Sequence, residues 1–129
     1  MNNADVLFES SIPELPLIGR GKVRDMNSID EQHLLLVTTD RLSAYDVVMP
    51  DPVPGKGEVL TKISLFWFRM MSDIIDNQLT DLTVADVVKD PGLQQQLRTR
   101  ALVVKRLKPL PVEAVVRGYL IGSGWKDYQ

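Results

Sequence analysis

The stretch Leu110-Pro111-Val112-Glu113-Ala114-Val115-Val116-Arg117-Gly118-Tyr119-Leu120-Ile121 sets one carboxylate and one guanidinium in a mostly apolar run, and Gly122-Ser123-Gly124 follows at once. Charged side chains are rarely buried without a partner, so Glu113 and Arg117 predict an ion pair or a ligand. A flexible, donor-rich turn just beyond the arginine suits a bound phosphate or carboxylate. A half-buried strand whose Arg117 meets a neighbouring carboxylate accounts for the same residues, because ion-pair networks also place charges in cores.

Three further clusters carry chemical potential. In Gly19-Arg20-Gly21-Lys22-Val23-Arg24-Asp25 the cations alternate, so on a strand all three face one way and repel. An anion between them relieves that repulsion, and Gly19 and Gly21 admit a phosphate to the backbone amides. The spacing is not that of a Walker loop, and the same charges equally suit a protected edge strand. Asp40-Arg41-Leu42-Ser43-Ala44-Tyr45-Asp46 holds two carboxylates, an arginine and a hydroxyl just past an apolar run, where sites are commonly built. Asp40 or Asp46 suits a water-mediated metal contact or an amine, while turn and cap bonding explain the same residues. Lys105-Arg106-Leu107-Lys108 leads into Pro109 and Pro111, a linker whose unpaired backbone groups suit a purine base or mark an ordinary connection. Together these clusters imply a nucleotide plus a second charged substrate, as in an ATP-dependent ligase or a kinase.

The elements that must position them follow from periodicity. Residues 18–26 predict a short strand pair, 27–31 a turn, and 33–39 a buried strand around Leu34-Leu35-Leu36-Val37. Residues 58–75 predict the main helix, with Val59, Ile63, Phe66, Trp67, Met70, Met71 and Ile74 as a core-facing stripe. Residues 76–91 read as loop with some strand, 92–98 as a helical turn, and 100–107 and 112–120 as two strands around the proline linker. The last residues, 125–129, open a helix. The expected fold is α+β: an antiparallel sheet folded around the helix of residues 58–75.

Composition narrows the function. The 129 residues are 44% hydrophobic and 25% charged, with net charge −2, which is ordinary for one globular domain. A nucleic-acid binder normally carries a basic excess, so that class is disfavoured. With no cysteine, disulfides and thiolate metal sites are excluded. The single histidine, His33, reads as a surface residue at a strand start. No secretory leader or membrane span is legible, and the reading is of a cytoplasmic protein.

Gly21-Lys22-Val23-Arg24-Asp25, the Asp40–Asp46 loop and Pro111–Trp125 together resemble the SAICAR synthetase (phosphoribosylaminoimidazole-succinocarboxamide synthase) family, in order and spacing along nearly the whole chain. The resemblance implies a purine-biosynthesis ligase joining carboxyaminoimidazole ribonucleotide and L-aspartate, with ATP and Mg2+ and an acyl-phosphate intermediate. It implies a fold like the small lobe of kinase-like and ATP-grasp-like enzymes. It places Gly19, Gly21, Lys22 and Arg24 over the ATP phosphates, and Lys105 and Leu107 at the adenine, with Glu113 also on the nucleotide side. Asp40, Ser43, Asp46, Arg117 and Ser123 fall on the side of the substrates, Ser123 at the ribonucleotide phosphate.

Two features depart from the family pattern. Ile121 stands where threonine or alanine is expected, and the family's downstream Asp-x-Lys-x-Glu motif has no match in residues 1–129. The chain is thus expected to be an N-terminal portion, inactive alone, with an ATP lobe at 1–107 and the hinge and start of a second lobe at 108–129. Uncovered apolar surface then implies self-association. The alternative is a non-catalytic nucleotide-binding or interaction module. A protein-kinase-like phosphotransferase is disfavoured by the lack of a catalytic-loop or Asp-Phe-Gly motif.

Overall fold

The computed structural model describes residues 6–129. Residues 1–5, which enter the expectations about a leader and about the lobe at 1–107, lie outside the described residues. The fold is α+β. A four-stranded antiparallel sheet runs in the order β1 (Leu17–Arg20), β2 (Arg24–Ser28), β3 (His33–Thr38), β6 (Ala101–Lys105). The β2–β3 turn closes on Asp30, whose Oδ1 accepts the amides of Gln32 and His33 at 2.7 Å each. A second, two-stranded ladder pairs β4 (Ser43–Ala44) with β5 (Val47–Val48). The helices are α1 (Lys56–Met70), α2 (Val84–Val87), α3 (Pro91–Leu97) and α4 (Ser123–Tyr128).

Strand alternation divides the sheet into two unlike faces. Leu35, Val37, Ala101 and Val103 form a buried layer with Val84, Val88 and Leu97, and Leu7, Ile12 and Leu15 close it from the N-terminal segment. Thr83 and Asp86 form a capping box that starts α2, and Asp90 caps α3 through the Leu93 amide. On the other face, Met26, Leu34, Leu36 and Leu102 are only half-buried. Beyond β6, Leu79 bridges Val104 and the Gln78 carbonyl accepts the Lys105 amide at 2.8 Å. That bridge partly covers the sheet edge and is the strand-like element expected within 76–91.

Two expectations are overturned. The apolar stripe expected over 58–75 does not enter the core: α1 ends at Met70, with 71–74 a turn, and Val59, Ile63, Phe66, Trp67, Met70, Met71 and Ile74 are exposed, Trp67 by 50%. The helix buries Gly57 and Thr61 instead. A Cβ on Gly57 would lie 2.3 Å from the Thr38 carbonyl oxygen, so α1 meets β3 through its smallest residue, and α2 and α3 supply the core helices. The strand expected at 112–120 is also absent. From Lys105 to Gln129 every residue except Gly124 is exposed, and among the described residues no strand pairs with 112–120. A strand without a neighbour leaves its backbone groups to water and gains nothing from being extended. Glu113 and Arg117 are thus solvent-facing, not charges forced into a core.

Two buried ion pairs lock the segments together. Asp25 accepts from Arg41 at 2.7 Å, and from the Ser10 amide and hydroxyl at 2.7 and 2.9 Å. Asp40 accepts from Arg100 at 2.6 Å, from the Leu7 amide at 2.8 Å, and from the Gly57 amide at 2.8 Å. Both carboxylates are fully buried. Burial alone raises the Asp25 pKa, but the hydrogen bonds from Arg41 and Ser10 and the Arg41 charge outweigh it and hold the group below its ordinary value. A pKa depressed on folding adds stability that is present above the unfolded value of about 4 and is lost as pH falls through the folded value.

These contacts fix three stability expectations, each read from urea unfolding. Trp67→Ser should change stability by less than about 1 kcal/mol, as an exposed position does, where a core tryptophan would lose about 3–5 kcal/mol. Gly57→Ala should destabilise by at least about 1–3 kcal/mol through overpacking. Asp25→Ala should cost about 3–5 kcal/mol at neutral pH by stranding Arg41, and the difference from the native chain should shrink on acidification below about pH 4. A pH-independent difference would contradict the role given to Asp25.

Candidate functional site

The β1–β2 turn is built on Arg41. Its guanidinium donates to the carbonyls of Gly21 at 2.9 Å, Lys22 at 3.0 Å and Phe8 at 2.5 Å while holding Asp25. The Gly21 amide closes the turn on the Arg24 carbonyl at 2.7 Å, and the Val23 carbonyl accepts the Thr39 amide and hydroxyl. The turn is therefore pinned through its oxygens. The amides of Lys22 and Val23 remain without a partner among the described residues.

The three alternating cations do not share one strand face, because Lys22 sits in the turn itself. Arg20 is engaged by Glu9 at 2.9 Å, by Asp25 at 3.3 Å and by the Ser10 carbonyl. Lys22 reaches Asp46 at 2.5 Å, and that ion pair pulls the exposed Asp46 carboxyl below its ordinary pKa. Arg24 makes no side-chain hydrogen bond or ion pair with the described residues. Gly19 lies over Met26, where a Cβ would come within 2.6 Å of the methionine methyl. This contact leaves the half-buried sheet face low beside the turn.

Asp46 is delivered by a hairpin that composition does not announce. Tyr45 and Asp46 form its two-residue loop with φ of 51° and 64°, the left-handed pair that a type I′ turn demands. Aspartate tolerates that region, whereas tyrosine enters it at a steric cost on the order of 1 kcal/mol. Ser43 lies in β4 opposite Val48. Asp40 is different in kind: its oxygens are taken by Leu7, Gly57 and Arg100, and it supports the loop from inside.

Lys105 ends β6 at the other end of the sheet, four strand positions from Ala101 and roughly 13 Å along the strands. Its ammonium reaches the Asn77 carbonyl. Arg106 anchors the following linker: its amide donates to Gln32, and its guanidinium to the Asp30 carbonyl and the Ser28 hydroxyl. The Leu107 amide has no partner among the described residues. Between this linker and the cationic turn runs the half-buried face of Met26, Leu34, Leu36 and Leu102. It is an apolar floor with backbone donors at both ends.

Arg117 and Ser123 meet. The guanidinium donates to the Ser123 hydroxyl at 3.1 Å, and the arginine side chain lies across Gly124, 3.2 Å from a Cβ built there. Gly122, at φ 59°, supplies the left-handed turn that enters α4. Glu113 is exposed and makes no hydrogen bond or ion pair with this pair.

Arg41 and Lys56 belong to the site although little in the sequence marks them. Arg41 was legible only as one polar residue of a loop, and its signal was its place directly after Asp40 at the end of a buried strand. Lys56, partly buried at the start of α1, lies in a Pro-Gly-rich loop whose composition marks only a turn. Its pKa is lowered by burial and by the charges of Arg24 and Arg41, against the opposing pull of Asp40. No helix among the described residues is long and apolar enough to cross a membrane.

Comparison with known proteins gives a consistent result. The SAICAR synthetase family model matches residues 17–129. A phosphoribosylaminoimidazole-succinocarboxamide synthase of Thioalkalivibrio sulfidiphilus is 63% identical over 95% of this chain, and one of Methylococcus capsulatus is 57% identical over all of it. The chain spans 42% and 43% of those proteins' lengths. Among solved structures, the Saccharomyces cerevisiae SAICAR synthase complexed with SAICAR superposes with a TM-score of 0.87 at 43% identity, over 95% of this chain and 44% of that one. A type-2 SAICAR synthetase in complex with ADP shares the fold over 72% of this chain and 34% of its own, with a TM-score of 0.53 at 22% identity. By sequence and by fold, the chain belongs to the SAICAR synthetase family.

Proposed function

We propose that this chain is the ATP-binding lobe, with the opening residues of a substrate lobe, of a purine-biosynthesis ligase that joins carboxyaminoimidazole ribonucleotide to L-aspartate. The observation that carries this reading is the apolar sheet face lying between a pinned cationic turn and a linker with an unpaired amide. A nucleotide has the matching sequence of parts: a base needing backbone donors and acceptors, an apolar stretch, and a polyanion. The ADP complex of the type-2 enzyme and the SAICAR complex of the yeast enzyme support the same assignment.

In this reading the Lys105 carbonyl and Leu107 amide receive the adenine edge, with Glu113 on the nucleotide side. Gly19 and Gly21 keep the backbone low, and Lys22 and Arg24 neutralise phosphate charge. A carboxylate is a poor acyl donor because oxide would have to leave, and ATP, when bound, supplies the phosphoryl group that makes phosphate the leaving group instead. The residues here contribute by positioning and charge neutralisation. Arg117 and Ser123 hold the ribonucleotide, Ser43 and Asp46 face the substrates, and Asp40 sets their loop in place. Among the described residues no three potential ligands gather, and Asp40 and Asp46 are engaged by cations, so these residues offer magnesium no all-protein site, and it would be held chiefly through nucleotide phosphates. Residues up to 107 form the nucleotide lobe and 108–129 the hinge and start of the next. The protein acts in the cytoplasm, and the exposed α1 stripe favours self-association of this chain, which light scattering would register as a mass above that of one copy.

Calorimetric titration tests the nucleotide assignment. ATP should bind the native chain, and Lys22→Ala should bind it about 10-fold to 100-fold more weakly, the range of one charge-assisted hydrogen bond. Equal affinity of the two proteins would remove Lys22 from the phosphates. In the complete enzyme, Arg117→Ala should raise the apparent KM for the ribonucleotide about tenfold or more while leaving that for ATP within twofold. An unchanged ribonucleotide KM would refute the role.

A further inference from the structure

We propose that Lys56 and Arg24 together form a second oxyanion subsite beside the β1–β2 turn, taking the outermost phosphate of a nucleoside triphosphate. The inference rests on the nucleotide reading above and extends it to a residue that the sequence motifs do not single out. Arg24 and Thr38 are direct partners across β2 and β3. Gly57 packs on the Thr38 carbonyl, which sets the neighbouring Lys56 near enough to Arg24 for the two charges to act on each other. Neither cation has a hydrogen bond or an ion pair with a side chain among the described residues.

Asp40, the carboxylate whose charge draws on Lys56, makes no hydrogen bond or ion pair with it. Asp40 Oδ1 accepts the Gly57 amide and Oδ2 accepts Leu7 and Arg100. Arg41, the third cation in the neighbourhood, is used up by Asp25 and three carbonyls. Lysine at the first position of a 15-residue helix also opposes the helix dipole. Partial burial and the Arg24 and Arg41 charges hold the Lys56 pKa down, outweighing the opposing pull of Asp40. The helix dipole and the two guanidinium charges disfavour the lysine's charge, and an anion between Lys56 and Arg24 offsets both. Lys22, with Asp46 already bound, balances only part of a triphosphate, and Arg24 and Lys56 supply the remaining positive charge.

The test is calorimetry with ATP and with ADP on native chain, Lys56→Met and Lys22→Ala, with thermal unfolding of each. Lys56→Met should bind ATP at least tenfold more weakly and ADP within twofold of native, and should unfold at or above the native temperature. ATP affinity within twofold of native, alongside weakened binding by Lys22→Ala, overturns this subsite and leaves the nucleotide reading standing. Equal losses for ATP and ADP move Lys56 to the inner phosphates and overturn the assignment. A clear fall in unfolding temperature makes Lys56 structural and does the same. No binding of either nucleotide by the native chain overturns both readings.

Discussion

The pair of neighbours Asp40 and Arg41 carries the organisation of this lobe. One looks towards Arg100, Leu7 and Gly57, the other towards Asp25, Gly21, Lys22 and Phe8. Two adjacent side chains thereby fix the N-terminal segment, the β1–β2 turn, the start of α1 and the start of β6. Buried ion pairs are weak sources of net stability, because desolvating both charges offsets much of their attraction. Their effect here is directional. Hydrogen bonds to charged groups have narrow geometry, and an apolar replacement would fill the same space without specifying where the turn carbonyls lie.

That division of labour explains what the sequence disclosed. β3 and β6 are legible because their hydrophobic runs are long enough to need burial, whereas β2 buries Asp25 and Asn27 and is marked by the turns at its ends, the second of which carries Asp30 where an amide-capping residue belongs. The helix was legible by period and misleading by face. Periodicity reports which residues share a side, not whether this chain covers that side, and α1 is held against β3 by Gly57, whose role is steric and leaves no hydrophobic signature. Val112 to Leu120 failed for a related reason: strand propensity is realised only through a neighbour, and the described residues provide none.

The candidate site divides along the same line. For Arg117 and Ser123 the sequence displays the residues and the glycine turn between them but not their hydrogen bond, which the left-handed Gly122 makes possible. Asp40 looked like a ligand-facing carboxylate, since sequence gives its charge but not the three donors that consume it. The β4–β5 hairpin carries little sequence signal, because a type I′ turn normally holds asparagine or glycine, and here tyrosine and aspartate adopt it.

The Lys22–Asp46 contact then has a clear energetic meaning. Both side chains are largely exposed, and exposed ion pairs contribute little, on the order of 0–1 kcal/mol. An incoming phosphate that exchanges with Asp46 on Lys22 therefore faces a small barrier from the pair it displaces. It meets a turn whose backbone cannot collapse, because Arg41 already holds the carbonyls. A rigid backbone with loosely committed side chains is what charge-driven binding requires: the geometry is set beforehand, and only weak contacts are surrendered when the anion arrives.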